Sequence, residues 1–294
     1  MNRVGASLAS VGGVVAVVAL AVGGTTVVRN LDDTPTASEP PGREAADDAS
    51  TSTTAPATTA TSATPGAAPT TAATTPPFPT AAAAHDWQLV ATDEFDGGAI
   101  DTERWTLYDS VGNDGIGYRR PSAISVADGE LRITGRGDVS GGLNWNGGRT
   151  YGRWEVRARM DAGNGYSPAI LLWPSSGNWP AEGEIDLSEI PRGDRSQTHF
   201  TMHWGTENSQ VGFDTPGDFT QWHTFAIEWQ PDHVTFFLDG EEVYTNDDPV
   251  AIPRDPMHLA MQNDVGPNGT WIPPRDASTP DEVALHVDWV RLYS

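Results

Sequence analysis

From Tyr151 to Met160 the chain alternates: Trp154, Val156, Ala158 and Met160 fall on one side, Arg153, Glu155, Arg157 and Arg159 on the other. A period of two marks a half-buried β-strand, because successive side chains leave opposite faces of the pleat. A helix with this pattern would scatter its apolar groups around its circumference. Strand-like runs recur at Glu130–Thr134, Ala169–Trp173, Thr198–Trp204, His223–Gln230, Val234–Leu238 and Leu285–Tyr293. Asp128-Gly129, Asp239-Gly240 and Gly163-Asn164-Gly165 supply turns between them. No window carries a long amphipathic helix. Residues 85–294 therefore read as one all-β sandwich domain.

The first 84 residues are of another kind. Residues 1–30 hold one early arginine, an apolar run from Val11 to Val22, and Val27-Val28 beyond it. This is the pattern of a secretory signal, with Ala19-Leu20-Ala21 as a cleavage signature. The stretch 11–28 is also long enough to span a bilayer, so an uncleaved membrane anchor is the alternative. Residues 31–84 are almost entirely Thr, Ala, Ser and Pro, with Phe78 the only aromatic. Such a segment buries too little apolar area to offset chain entropy, and it reads as a disordered linker. The expected location is outside the cell, secreted or tethered to the outer face of the cytoplasmic membrane.

Absences narrow the chemistry. The chain has no cysteine and no lysine; all 17 basic residues are arginines. Thiol nucleophiles, cysteine zinc sites, Schiff-base lysines and P-loop lysines are excluded. The formal net charge is −23, with 40 acidic residues. A surface of that sign repels phosphate backbones, so nucleic acid is not an expected partner.

One short run concentrates the acids: Gly183-Glu184-Ile185-Asp186-Leu187-Ser188-Glu189. On a regular strand Glu184 and Asp186 share a face, and Glu189 points the other way. One β-bulge at Leu187-Ser188 returns Glu189 to the shared face, and small Ser188 makes that distortion easy. The two glutamates then stand roughly 13 Å apart at Cα, and inward-leaning side chains can close toward the ~5–5.5 Å of retaining glycosidases. Like charges so close cannot all ionise freely, so at least one pKa is expected to rise. A solvated acidic strand and a calcium site through these carboxylates are the competing readings at this point.

Flanked by Trp179-Pro180, this run resembles the E-x-D-x-x-E motif of glycoside hydrolase family 16, in its bulged, laminarinase-like branch. Other pieces follow in the family's order: Asp93-Glu94-Phe95, Asp101 through Trp105, Tyr151-Gly152-Arg153-Trp154-Glu155-Val156-Arg157, Phe225-Ala226-Ile227-Glu228-Trp229, Phe236-Phe237-Leu238-Asp239-Gly240 and Val287-Asp288-Trp289-Val290-Arg291-Leu292-Tyr293. The resemblance implies a concanavalin-type β-jelly roll with a cleft across its concave sheet. It implies retaining, endo-type cleavage of a β-linked polysaccharide by Glu184 as nucleophile, Glu189 as acid/base and Asp186 as the assisting carboxylate. No cofactor is required for that chemistry, and the enzyme is expected to work as a monomer. Many family members hold a structural calcium through an aspartate in the closing strand, which Asp288 matches. Departures bear on substrate: Ser188 replaces an apolar residue, Ser167 stands where many relatives carry Trp, and Met261-Gln262-Asn263-Asp264-Val265-Gly266 replaces the usual run. β-1,3-Glucan, β-1,3-1,4-glucan and a bacterial exopolysaccharide all stay open as substrates. Transglycosylation of cell-wall polysaccharide and a non-catalytic lectin-like module are the alternative functions.

All eleven tryptophans lie beyond residue 86. Sugar rings stack their C–H faces on indoles, and Trp179 and Trp173, beside the acidic run, are the expected platforms. Trp105, Trp154, Trp229 and Trp289 sit in strand-like runs and are expected in the core. His199 and His203 share a strand face; a metal pair is conceivable there, but no third ligand is evident. By the resemblance, His203 lies beside the catalytic strand and bonds substrate or an acid. Gln262 offers an uncharged donor and acceptor for sugar hydroxyls.

Overall fold

The structure, a computed structural model, describes residues 78–294. The expectations for residues 1–30, and for 31–77 of the linker, lie outside the described residues. In chain order the strands are β1 (Leu89–Asp93), β2 (Trp105–Leu107), β3 (Ser110–Val111), β4 (Tyr118–Arg119), β5 (Ile124–Ala127), β6 (Glu130–Gly135), β7 (Val139–Ser140), β8 (Gly142–Trp145), β9 (Gly152–Met160), β10 (Tyr166–Pro174), β11 (Glu184–Glu189), β12 (Gln197–Trp204), β13 (Ser209–Pro216), β14 (His223–Trp229), β15 (Val234–Leu238), β16 (Glu241–Asn246), β17 (Met257–Val265) and β18 (Val283–Tyr293). Among the described residues the only α-helix is Ala81–Ala84.

Two antiparallel sheets form the sandwich. One runs β16-β15-β14-β9-β18-β6-β5, with β1 also paired to β18. The other runs β13-β12-β11-β10-β17-β8-β2 and carries the acidic strand near its middle. A small third sheet, β3-β4-β7, completes the pairing. This is the expected all-β jelly-roll sandwich.

Alternation places the core between the sheets. Trp154, Val156, Ala158 and Met160 of β9 are buried and face Ile170 and Leu172 of β10, Ile185 and Leu187 of β11, and Phe200 and Met202 of β12 across one continuous cluster. Burying a residue of this size contributes about 1.5–3 kcal/mol, and the cluster gives the cysteine-free domain its stability. Trp105, Trp154, Trp229 and Trp289 are all buried, as their strand positions predict.

The boundary between linker and domain is corrected by the structure. Residues 78–84 belong to the fold, not to the linker. The Ala81 N–H donates to Glu155 Oε1 at 2.7 Å, Thr224 Oγ1 donates to the Pro79 carbonyl at 2.9 Å, and Arg157 lies 3.4 Å over the Phe78 ring. The physical reason is Glu155. This carboxylate is fully buried on the outer face of β9, and its partners are the Ala81 N–H and the Tyr293 hydroxyl. Burial pushes its pKa up, while the Ala81 N–H and the Tyr293 hydroxyl oppose the rise.

Candidate active site

The acidic strand is bulged where parity requires it. Between β10 and β11, Ile170 pairs with Ser188 but Leu171 pairs with Asp186, so Leu187 is the extra residue. Between β11 and β12, Asp186 pairs with Thr201 and Glu189 with His199, again one residue too many on β11. Leu187 and Ser188 both turn inward: Leu187 enters the core, and Ser188 Oγ meets Thr198 Oγ1 at 2.9 Å in a buried pair. The bulge thereby brings Glu184, Asp186 and Glu189 together into one cleft. His199, Thr201 and His203 of β12 line it from one side, and Gln262 and Asp264 of β17 from the other.

Each acid has a distinct setting. Glu184 is buried, and Oε2 accepts the Trp179 indole N–H at 2.6 Å. Asp186 is also buried; its Oδ2 stands 3.6 Å from His203 Nε2, and its Oδ1 has no partner. Glu189 is half-buried. Burial, then the charges of Asp186 and Glu189, push the Glu184 pKa well above the usual carboxylate range, and the Trp179 N–H opposes that rise. The expected rise falls on Glu184, with burial its largest cause.

His203 is oriented by a second residue. Its Nδ1 lies 2.8 Å from Asn208 Oδ1; with that oxygen accepting, Nδ1 carries the proton and Nε2 faces Asp186. Glu184, Asp186 and His203 each present a ligand atom within 4.8 Å of the others, so a metal-sized cluster exists only as part of this site among the described residues. His199 does not join it. Its Nδ1 pairs with Asp214 Oδ1 at 2.7 Å, and its ring meets Trp271 edge-on at 5.3 Å.

The two expected sugar platforms differ. Trp179 is partly exposed at the cleft, where it also serves Glu184. Trp173 is corrected: only 3% exposed, it stacks behind Trp179 with ring centres 6.0 Å apart and planes 11° apart. A ring so covered cannot receive a sugar face, and it backs Trp179 instead. Gln262 lines the cleft as expected, with Nε2 donating to Asp264 Oδ2 at 2.9 Å.

Residues 117–291 match the model for glycosyl hydrolases family 16. The chain belongs to glycosyl hydrolase family 16. It is a glycoside hydrolase, 33% identical over 249 residues to a β-glucanase of Rhodothermus marinus, a match covering 71% of this chain and 86% of that one. The catalytic domain of an endo-1,3-β-glucanase from Thermotoga petrophila superposes with a TM-score of 0.64 at 27% identity, over 71% of this chain and 98% of that one. A non-specific endo-β-1,3(4)-glucanase of family 16, SCLam, superposes with a TM-score of 0.64 at 30% identity, over 71% and 92%.

In this family 16 hydrolase the calcium expected at Asp288 does not fit its surroundings. Asp288 Oδ2 accepts from Arg157 Nη1 at 2.6 Å, and that guanidinium lies over the rings of Phe78 and Trp222. A guanidinium already holds the cationic position beside the carboxylate.

Several cleft residues of this hydrolase carry no sequence signal. Asp264 is held by the buried Arg119, whose Nη2 donates at 2.7 Å from 145 residues away. Asn113 reaches the cleft from the β3–β4 connection, and Trp271 from the loop between β17 and β18. Only strand pairing brings these positions beside the acids.

Proposed function

We propose that this hydrolase is a retaining endo-β-glycanase acting on a neutral β-glucan with 1,3 or mixed 1,3-1,4 linkages. The observation that carries the reading is the placement of Glu184, Asp186 and Glu189 on one face of a bulged strand, in an open cleft. Glu184, ionised, attacks the anomeric carbon and forms a covalent glycosyl ester. Glu189 gives its proton to the leaving glycosidic oxygen. Glu189, now a carboxylate, takes a proton from water, and that water displaces Glu184 from the sugar. The Trp179 N–H favours the ionised nucleophile, against burial and the charges of Asp186 and Glu189, which oppose it. The names of the relatives, a β-glucanase and two endo-glucanases, support the glucan.

The electrostatics of the cleft favour a neutral chain. Its lining holds Glu184, Asp186, Glu189 and Asp264 but no arginine. Arg119, behind Asp264, is buried and occupied by it. A sulfated or uronic-acid polymer would bring anions toward carboxylates without a cation to receive them. The apolar stretch 11–28 and the Thr/Ala/Pro tract support an exported enzyme, secreted or tethered at the membrane.

The test is reducing-end release from laminarin, mixed-linkage glucan, carboxymethylated β-1,3-glucan and a bacterial exopolysaccharide, with Glu184→Gln in parallel. Release from the neutral glucans by wild type only is expected, with products shorter than the substrate. Preference for the anionic polymers contradicts the neutral-substrate reading, products longer than the substrate favour transglycosylation, and undiminished activity in Glu184→Gln contradicts the assignment of the nucleophile.

A further inference from the structure

Arg195 lies in the turn between β11 and β12, four residues before the cleft-lining His199. Its side chain is fully buried, and its backbone takes φ +53°, a left-handed geometry uncommon for a residue of this size. The guanidinium donates to five backbone carbonyls. Nε reaches Asp161 at 2.8 Å, Nη2 reaches Gly163 at 3.1 Å, and Nη1 reaches Tyr166, Ile190 and Arg192 at 3.0, 2.6 and 3.1 Å. Its nearest influential negative charges, Asp161 and Asp194, act on it through space. Burying a cation on carbonyls rather than on a carboxylate is costly, and here the gain is geometric.

The five carbonyls belong to two segments. Residues 161–166 lead into β10, the strand that pairs with Glu189 through Ala169. Residues 190–192 leave β11 directly after Glu189. Two backbone bonds stitch the same segments together: Ile190 N–H to the Pro168 carbonyl at 3.0 Å, and Gly163 N–H to the Gly193 carbonyl at 2.8 Å. Gly193 packs so tightly on Asn164 that an added Cβ would stand 2.7 Å from its backbone nitrogen.

This location matters because the bulge has a regular competitor. If the chain beyond Asp186 slid by one residue, the ladder would become continuous and Glu189 would turn toward the core. The slide must move Ile190, whose carbonyl is fixed by the guanidinium. We propose that Arg195 is a positioning residue that locks the bulged register and thereby keeps the Glu189 carboxyl aimed into the cleft. This rests on the reading of Glu189 as the acid/base.

The test separates loss of acid/base help from general damage. Arg195→Lys and Arg195→Gln, neither able to span both segments as the guanidinium fork does, are compared with wild type and with Glu189→Ala. Two substrates are used: the polysaccharide that wild type cleaves, and a 2,4-dinitrophenyl β-glycoside of a short glucan with azide added. Dinitrophenolate leaves without a proton, and azide attacks without a base. Loss of general acid catalysis costs about 10²–10⁴-fold. Both Arg195 variants are expected to lose about 100-fold or more in kcat on the polysaccharide, yet to release dinitrophenolate in azide within about threefold of wild type. Equal losses on both substrates, or no loss on either, overturn the proposal. So does absence of a cooperative melt in both variants, since the clamp would then hold the domain rather than one residue. Glu189→Ala must show the same split; if it loses both activities, the acid/base reading fails, and the proposal falls with it.

Discussion

Replacing Trp179 by Phe keeps an aromatic ring against Trp173 and removes one hydrogen-bond donor. That donor is the indole N–H, 2.6 Å from Glu184 Oε2. Glu184 is buried and repelled by Asp186 and Glu189, so its pKa already stands well above the usual range; the N–H pulls it down. Without the donor it rises further, and the ionised nucleophile becomes scarcer at any given acidic pH. A hydrogen bond to a charged group contributes about 1.5–3 kcal/mol. At about 1.4 kcal/mol per factor of ten, kcat/KM falls about 10- to 100-fold on the acid side of the profile. The acid limb moves to higher pH, and the deficit narrows as pH rises and Glu184 ionises in both proteins. The assay is kcat/KM on a soluble β-glucan from acid to mildly alkaline pH, with a thermal melt to show that the variant is folded. An unmoved acid limb with a change confined to KM would refute the reasoning; Trp179 would then be a sugar platform alone.

Two further outcomes follow from burial. Glu184→Gln is expected to lose turnover and gain stability. The folded-state pKa of Glu184 is raised, so whatever stability its protonated form contributes is present below the unfolded pKa and lost as pH rises through the folded one. The neutral glutamine has no such loss: at pH 7 the variant should melt at a higher temperature than wild type, and the gain should vanish in acid. A lower melting temperature at pH 7 contradicts the picture of a strained trio. Residues 85–294 alone should be less stable than residues 78–294, because removing the Ala81 N–H leaves the buried Glu155 carboxylate short of a donor. An unsatisfied buried charged group costs about 3 kcal/mol, or about 6–12 °C in melting temperature, and equal melts would show that the segment contributes nothing.

The sequence carried the sandwich and the acidic trio for one reason: parity along a strand is local. The offset of five between Glu184 and Glu189 demanded one extra residue, and Leu187 with Ser188 supplies it. Burial of an indole is not local. Trp173 sits on the cleft side of its strand by parity, but whether a sugar reaches it depends on Trp179 lying across it. The Arg119–Asp264 pair joins residues 145 apart, and no spacing announces it. Alanine and proline suit a packed segment as well as a linker, so composition does not mark where the fold begins; Phe78, the lone aromatic in that tract, does, under Arg157. Asp288 matched a family position, but its pairing with Arg157 across two strands decides what it can bind.

The measurement that reaches the central claim most directly is covalent trapping. A 2-deoxy-2-fluoro β-glycoside of a short glucan, with dinitrophenolate as leaving group, slows release of the glycosyl-enzyme enough to digest the protein and map the label by mass. The label is expected on Glu184, with product of unchanged β configuration formed first. A label on Glu189 or Asp186, or a first product of inverted configuration with no adduct, would contradict the account.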